Sequence, residues 1–264
     1  MLYFHFALLD VSGKGMTDFT NDYNDFISKK ILFVGDSHMR GYAELFMHLV
    51  CQYSLDKLSI IDPEILKTTQ VFHMNKADKK ICNSTTHGDS IDPSCLLDHD
   101  WGCEQSTVGY LGSMYCAPDM VNHFEGYDYI IINCGHHPAS QDHYSYDKYD
   151  SAVNKLFDTF IKKNITNFAK LFWLENTAPP LRQDHWVIEK EDWRTYHRLI
   201  LFDSLAKKTM KNRTDRLDIG LIPAFYSTLA LFDKMCDCAH YPSSAKVPQL
   251  LGLIDAVRFI NEKI

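Results

Sequence analysis

The sequence predicts an α/β protein, a three-layer α/β/α sandwich in which helices cover both faces of a central parallel sheet. Short continuous apolar runs of strand length begin at Ile31, Tyr129 and Leu171, and amphipathic helical patterns lie between them. Such runs are typical of strands buried on both faces, and their alternation with helices favours parallel pairing. With 264 residues, 45% of them hydrophobic, the chain is long enough to bury a full core. We therefore expect a single domain over residues 1–264.

Each predicted element follows from the spacing of its apolar residues. Continuous apolar runs predict strands, and apolar residues that recur every three or four positions predict one buried face of a helix. After the first strand, for example, Met39, Ala43 and Phe46 lie at helical spacing. In chain order we predict a strand at 31–35, a helix at 38–50, a strand near 69–74, an irregular Cys-rich loop insertion at about 76–125, a strand at 128–134, a helix at about 148–163, a strand at 170–175, a helix at about 190–210, a strand at 217–222 and a closing helix at about 247–260.

Charge and composition narrow the classes of partner. The net charge is -7 and the isoelectric point is near 6.0. Binding to nucleic-acid phosphates needs a basic surface, so we expect no nucleic-acid partner. No stretch approaches the roughly 20 apolar residues of a membrane span, so we expect no transmembrane segment in this chain. Aromatic residues make up 13% of the chain, and one or two of them in a cleft would suit stacking against sugar rings. We expect a monomer.

The first segment that carries chemistry runs from Ile31 to Arg40, where a buried-strand pattern ends at Gly35, Asp36 and Ser37. Gly35 permits a sharp change of backbone direction, and either Asp36 or Ser37 is a suitable N-cap for the helix that follows. A serine at such a turn presents its hydroxyl at the carboxyl edge of the sheet, beside helix amides that stabilise a developing oxyanion. Ser37 is therefore either a nucleophile or simply a helix cap.

The second segment pairs Asp237 with His240, late in the chain, after the last predicted strand and before the closing helix. An Asp three residues before a His on a loop lets the carboxylate orient the imidazole while the other ring nitrogen faces outward. Together with Ser37, these residues supply the nucleophile, the general base and the orienting acid of a Ser-His-Asp triad. Asp233 is the next choice for the acid.

Three short blocks carry a resemblance to a known family: Gly35–Arg40, Asn133–His137 and Asp237–Tyr241. They are similar to the SGNH (GDSL-like) hydrolase superfamily and, more narrowly, to the PC-esterase family, which includes plant and fungal glycan O-acetyltransferases. The resemblance spans roughly residues 29 to 264 and implies an SGNH-like fold with flavodoxin-like strand order. It also implies acyl transfer between an acetyl donor and a carbohydrate substrate through an acyl-enzyme on the triad serine. Water as acceptor makes an acetylesterase, and a sugar hydroxyl makes an O-acetyltransferase.

The same resemblance implies an oxyanion hole made by the Ser37 amide, a glycine after the second strand and an asparagine after a later strand. Asn133 ends the apolar run of the 128–134 strand and is the candidate asparagine, although its block differs in order from the Gly-x-Asn-Asp form of the common esterases. The expected interval for the glycine contains Gly109 and Gly112. Of the two we assign Gly109.

Two further residues are candidates for substrate binding. Arg40 occupies a family-like position from which it would bind a carboxylate or support the active-site loop, or it is simply an exposed helix arginine. His136 follows a strand end and would line the cleft. Its neighbour His137 points in a different direction, and adjacent histidines rarely ligate one ion together. The ligand clusters typical of zinc are missing from the sequence, so we expect no metal and no cofactor.

Two other classes of protein compete with a serine acyl-transfer enzyme. Gly35–His38 also fits the Gly-Asp-x-His opening of metallophosphoesterases, in which Asp36 and His38 would be metal ligands. Those enzymes need further Asp, Asn-His and Gly-His-x-His blocks, and the sequence lacks a Gly-Asn-His block downstream. The other class is a catalytically inactive glycan-binding module, but such a module has no need of a complete triad.

Cysteines and glycosylation acceptors indicate the compartment. Four of the eight cysteines lie in one polar stretch, Cys82, Cys95, Cys103 and Cys116. An even number of cysteines clustered in loops suits a disulfide-bonded secretory protein, whereas Cys134 is equally well a buried free thiol. Asn-x-Ser/Thr acceptors for N-glycosylation occur at Asn83, Asn164 and Asn212. We therefore expect a location in the secretory pathway, such as the Golgi lumen, or outside the cell.

Overall fold

One sheet organises the protein in a computed structural model that describes residues 29–47, 96–97, 107–113, 115–141, 144–179, 193–230, 249–250 and 253. Within these residues it has six strands: β1 (Lys30–Gly35), β2 (Leu96–Leu97), β3 (Thr107–Gly112), β4 (Tyr129–Ile132), β5 (Lys170–Leu174) and β6 (Ile219–Ile222). Five of them run parallel, and the short β2 pairs antiparallel with β3 at one edge.

The strand order places two loops side by side at the carboxyl edge. Across the sheet the order is β2-β3-β1-β4-β5-β6. The five parallel strands, numbered by sequence, therefore follow the flavodoxin-like order 2-1-3-4-5, and the order reverses between β1 and β4. At such a switch point the two following loops leave towards opposite faces and open a crevice in which ligands bind. This topology, with helices on both faces, confirms the predicted fold class.

The helices cover both faces of this sheet. Their bounds are α1 (Ser37–Met47), α2 (His136–Ser140), α3 (Tyr146–Lys162), α4 (Tyr196–Lys211) and α5 (Phe225–Leu229), with 3₁₀ helices at Pro118–His123 and Ile165–Asn167. α1 packs on one face, where the ring centroids of Phe33 and Phe46 lie 5.7 Å apart. On the other face α3 and α4 cover a buried cluster of apolar side chains, in which the ring centroids of Phe157 and Trp173 lie 5.6 Å apart.

Capping residues explain where the two long helices begin. The Ser145 side chain accepts a hydrogen bond from the Lys148 amide at 3.1 Å, and the Thr195 side chain accepts one from the Arg198 amide at 3.2 Å. Each cap satisfies an amide that has no partner within its own helix. The second cap sets the start of α4 at residue 196, later than the predicted 190.

The structure corrects the expected irregular insertion at 76–125, since β2, β3 and the Pro118–His123 3₁₀ helix all lie within it. We expected an irregular segment there, but residues 107–112 form β3, which pairs with β1 along its whole length. The strand was missed because its sequence contains two glycines, Gly109 and Gly112. Gly109 is required by packing rather than by a turn, since a Cβ atom on it would lie 2.6 Å from the Tyr127 hydroxyl.

Other predicted elements lie partly or wholly beyond the described residues. These are the strand near 69–74, the end of the 38–50 helix, most of the insertion and most of the closing helix, of which residues 249–250 and 253 are helical. Across the described ranges, none of the helices combines the length and the apolar character needed to cross a membrane.

Candidate active site

Ser37 is the first residue of α1 and lies at the carboxyl end of β1, half-buried. The cap of this helix is Asp36, whose Oδ1 accepts a hydrogen bond from the His38 amide at 2.9 Å while its carbonyl accepts one from the Arg40 amide at 3.1 Å. The sequence left open whether Asp36 or Ser37 caps the helix. Because the Asp36 side chain does so, Ser37 is not the cap. It belongs to the first helical turn, whose amides have no acceptor within the helix itself.

The neighbouring strand holds the turn that carries Ser37. The Tyr110 hydroxyl lies 3.0 Å from the carbonyl oxygens of both Gly35 and Asp36, and the Ser113 amide donates to the Gly35 carbonyl at 2.8 Å. Three contacts from β3 and its following loop thus anchor two consecutive peptide units. Anchoring of this kind fixes the direction of α1 and therefore the position of the serine.

Asn133 lies one strand away, in the loop after β4, and is almost fully buried. Its backbone amide donates to the Val34 carbonyl at 3.0 Å. Its Nδ2 donates to the Leu174 carbonyl at 2.8 Å and to Asn176 Oδ1 at 3.2 Å. The role of Asn133 as an oxyanion donor stays a prediction. To fill it with the side-chain amide, Nδ2 would give up its longer hydrogen bond, to Asn176, and donate to the oxyanion instead.

Asn176 and Asp203 hold Asn133 in place through a chain of hydrogen bonds. Neither residue was predicted from the sequence. Asp203, on α4, accepts from the Asn176 amide at 3.1 and 3.2 Å and from Asn176 Nδ2 at 2.8 Å. Asn176 Oδ1 is then the acceptor for Asn133. The signal for Asn176 was similar to that for Asn133, namely a polar residue just after a buried strand, although Glu175 separates Asn176 from β5. Asp203 gave none, because a single Asp on an amphipathic helix is usually solvent-exposed.

Two acidic side chains, Asp203 of α4 and Glu175 of the loop after β5, interact with each other. Burial raises the pKa of Asp203 well above its usual range, and the negative charge of nearby Glu175 raises it further. Glu175 is itself compensated, because it forms an ion pair with Lys207 and its Oε2 accepts hydrogen bonds from the Ala224 and Phe225 amides at 3.0 and 3.3 Å. The amides at the start of α5 are natural partners for a carboxylate.

His38 and His136 stack on each other between the two loops. Their ring centroids are 3.9 Å apart with the planes 8° from parallel, and both residues are 3% exposed. His136 Nε2 accepts a hydrogen bond from the Thr177 amide at 3.1 Å and lies 3.0 Å from the Thr177 hydroxyl. The acceptor role of Nε2 puts the proton of a neutral His136 on Nδ1. With so little exposed surface, His136 is held by protein groups; substrate binding by His136 stays a prediction.

Of the remaining predicted site residues, the structure describes Arg40 and the two candidate glycines but not the acid and base of the triad. Asp237 and His240, and also Asp233, lie outside the described residues. Arg40 is half-buried on the first turn of α1. Gly109 lies in the middle of β3, opposite Leu32, whereas Gly112 ends that strand opposite Gly35. The glycine at the carboxyl edge, level with the Ser37 turn, is therefore Gly112.

A disulfide bond lies directly beside Asn133. Cys134 is bonded to Cys116, with the Cα atoms 5.2 Å apart, and both residues are buried. Of the two interpretations of Cys134, a free thiol or a disulfide partner, the structure has the disulfide. The bond ties the loop after β4 to the segment before the Pro118–His123 helix.

Metal ligation of the type expected for a metallophosphoesterase finds no support in the described ranges. Within them, no group of three or more His, Cys, Asp or Glu side chains is arranged to hold an ion. The Asp36 carboxylate acts as a helix cap, and His38 Nδ1 lies 3.5 Å from the Thr177 hydroxyl.

Comparison with known proteins gives structural likeness only. No family model matches the chain, and a search of curated proteins finds no similar sequence. Among solved structures it is similar to an acetylxylan esterase from Geobacillus stearothermophilus, with 10% identity, TM-score 0.47, and 87% of this chain and 94% of that chain covered. It is also similar to a carbohydrate acetylesterase from Sinorhizobium meliloti, with 13% identity, TM-score 0.40, and 57% and 69% covered.

Proposed function

We propose that this protein is a serine-dependent acyl-transfer enzyme that acts on O-acetyl groups of carbohydrates. The observation that carries the proposal is the position of Ser37, on the first turn of α1 at the switch point of the sheet, with helix capping performed by Asp36. The amides of a first helical turn are suited to an oxyanion that forms next to a nucleophile on that turn. The resemblance of three sequence blocks to the PC-esterase family supplies the substrate class.

The mechanism has two half-reactions. His240 takes the Ser37 hydroxyl proton as Ser37 Oγ attacks the acetyl carbonyl, and Asp237 stabilises the imidazolium. The Ser37 amide, Gly112 and Asn133 stabilise the tetrahedral oxyanion; Gly112 takes the role first assigned to Gly109. When the intermediate collapses, the donor's alcohol leaves with the proton from His240, and the acetyl group remains on Ser37 Oγ.

In the second half-reaction an acceptor hydroxyl gives its proton to His240 as its oxygen attacks the acetyl carbonyl. The bond from that carbonyl to Ser37 Oγ then breaks, and Ser37 Oγ takes back the proton from His240. Water as acceptor releases acetate and makes the enzyme an acetylesterase. A sugar hydroxyl makes it an O-acetyltransferase, provided that the cleft excludes water and positions the sugar. We propose the transferase, because the family resemblance includes glycan O-acetyltransferases, and a site of action in the secretory pathway lumen or outside the cell, which the disulfide supports.

Intact-protein mass spectrometry after incubation with p-nitrophenyl acetate tests this function. We expect an acetyl adduct on the wild type and none on Ser37→Ala. Ser204→Ala is the matched control, because Ser204 is exposed on α4 and its hydroxyl only donates to the Ile200 carbonyl. Loss of the adduct on addition of acceptor oligosaccharides, with acetylated sugar as product, indicates the transferase.

Two outcomes of this experiment would contradict the proposed function. If Ser37→Ala acquires the adduct as readily as the wild type, Ser37 is not the nucleophile. If neither protein releases nitrophenol or acquires an adduct, but acetylated oligosaccharides bind to both, the protein is a glycan-binding module.

A further inference from the structure

The acceptor tripeptide Asn164-Ile165-Thr166 lies at the end of α3, on the surface. Asn164 is exposed and adopts the left-handed conformation, with φ 52° and ψ 42°, directly after the last helical turn. Its amide donates to the Ile161 carbonyl at 3.0 Å, which closes the helix end. Asn tolerates this conformation better than most residues, so helix termination alone explains Asn164. It does not explain a threonine two positions later.

A cavity of about 500 Å³ opens beside this tripeptide. Its lining includes Tyr127, Lys163 and Phe168, with Glu125 and Asp128 adding carboxylates. Phe168 is 45% exposed, one turn beyond Asn164. A large aromatic ring next to charged groups in an open cavity is a combination that suits a sugar, whose ring has an apolar face and a polar rim.

This cavity lies at the amino edge of the sheet, opposite the candidate active site. Asp128 directly precedes β4, and its amide donates to the carbonyl of Lys30, the first residue of β1. The Lys170 amide at the start of β5 donates in turn to the Asp128 carbonyl. Ser37, by contrast, follows the carboxyl end of β1. A group attached near the cavity would therefore leave the substrate side open.

We propose that Asn164 carries an N-linked oligosaccharide and that the first sugar of this glycan occupies the cavity, with its apolar face on the Phe168 ring. The group comes from a lipid-linked diphosphate oligosaccharide. The Asn164 Nδ2 forms a bond to C1 of the first N-acetylhexosamine and loses one proton, while the bond between C1 and the phosphate oxygen breaks and the lipid diphosphate leaves.

One observation and one physical argument support this proposal independently of the acyl-transfer function. The Cys116–Cys134 disulfide fits an oxidising compartment, which is where such glycans are attached. Burial of the exposed Phe168 surface under a sugar is favourable, since apolar area leaves water. The second acceptor, Asn212-Arg213-Thr214, offers an internal comparison: its Arg213 forms an ion pair with Asp158 at 2.9 Å rather than lining the cavity.

The first experiment maps glycans on the full chain secreted from a eukaryotic host. Peptides are compared by mass before and after the glycan is released enzymatically, which converts a glycosylated Asn to Asp. We expect conversion at Asn164 in the wild type and in Thr166→Ser, which keeps the acceptor, and none in Thr166→Ala, which removes it while leaving the Asn164 backbone conformation intact. An unmodified Asn164 in the wild type overturns the proposal.

The second experiment tests the place of the sugar by a double-mutant cycle in melting temperature. In the glycosylated protein, Phe168→Ala and Thr166→Ala should each lower Tm by about 2–4 °C, and the double variant should fall by clearly less than the sum of the two. Thr214→Ala, which removes the acceptor at Asn212, is the control and should leave the effect of Phe168→Ala unchanged. Fully additive effects of the two cavity substitutions would place the sugar away from Phe168.

Discussion

The α-carbon of Gly35 lies directly against the carbonyl oxygen of Asn133. A Cβ atom at position 35 would overlap this oxygen and also Met39 Cγ, and the φ angle of Gly35 is 153°. The loops after β1 and β4 thus meet at a contact that only glycine allows. Through it, the backbone beside Ser37 and the backbone of the candidate oxyanion residue are held at one fixed separation.

Gly35→Ala should therefore impair activity and stability together. One of the two loops has to move to admit the methyl group, and overpacking of this kind costs about 1–3 kcal/mol of folding free energy. We expect p-nitrophenyl acetate turnover to fall at least tenfold, with a lower midpoint in urea unfolding. Gly126→Ala is a useful comparison, because its φ of 87° strains an alanine although no atom lies within 4 Å. Equal turnover losses in the two variants would contradict the contact argument.

Asp203→Asn should change how stability depends on pH. The pKa of Asp203 is raised by burial, so between its unfolded value of about 3.9 and its higher folded value the folded protein holds a proton that the unfolded chain releases. Stability falls as pH rises through this window, by up to about 1.4 kcal/mol per pH unit. The asparagine side chain does not titrate, so the variant should gain stability relative to the wild type as pH rises above about 4. Urea unfolding over that range measures the difference, and parallel curves would argue against a raised pKa.

Asn176→Ala should reduce the rate more than it affects substrate binding. Asn176 links the Asp203 carboxyl to the Asn133 amide, and its side chain also packs on Gly135. Without it, Asn133 loses one hydrogen-bond acceptor and Asp203 loses one donor. If Asn133 stabilises the oxyanion, we expect kcat to fall about tenfold or more while KM changes little. A rise in KM at unchanged kcat would mean that this network positions substrate instead.

Asp237→Asn should lower kcat by orders of magnitude, because the neutral amide favours the wrong imidazole tautomer of His240. Asp233→Asn is the matched control, four residues away. Kinetics with p-nitrophenyl acetate decide between them. Near-normal turnover in Asp237→Asn, together with a large loss in Asp233→Asn, would move the acid to Asp233.

Removal of the Cys116–Cys134 disulfide should destabilise the protein by about 3 kcal/mol, the value typical of a loop near 18 residues. Cys116→Ser and Cys134→Ser should have equal effects on the urea midpoint, and the double variant should match either single one, since each change breaks the same bond. A double variant far less stable than both would show that the cysteines contribute separately.

Local patterns predicted most of this fold. β1, β4, β5, β6 and α3 lie within a few residues of their predicted bounds, as do the start of α1 and the end of α4, because each is set by its own run of apolar residues. β3 was missed because its identity depends on pairing with β1 and on Tyr127 packing against Gly109, and neither is visible in a sequence window.

The candidate site was predictable to a similar degree. The sequence correctly placed Ser37 and Asn133 after two buried strands. It could not show that Asp36 caps α1, that His38 stacks on His136, or that Asp203 is buried, since all three depend on contacts between distant segments. The roles of Asp237 and His240 still rest on sequence spacing and family resemblance.

The hydrogen bond that the Tyr110 hydroxyl shares between two carbonyl oxygens also bears on how the protein acquires activity as it folds. This hydroxyl holds the Gly35 and Asp36 carbonyls across 75 and 74 residues of chain. Helix α1 is local and forms early, whereas a contact over such a separation waits for slow loop closure. During refolding, far-ultraviolet circular dichroism should therefore recover first, and turnover should return only when β3 docks beside β1.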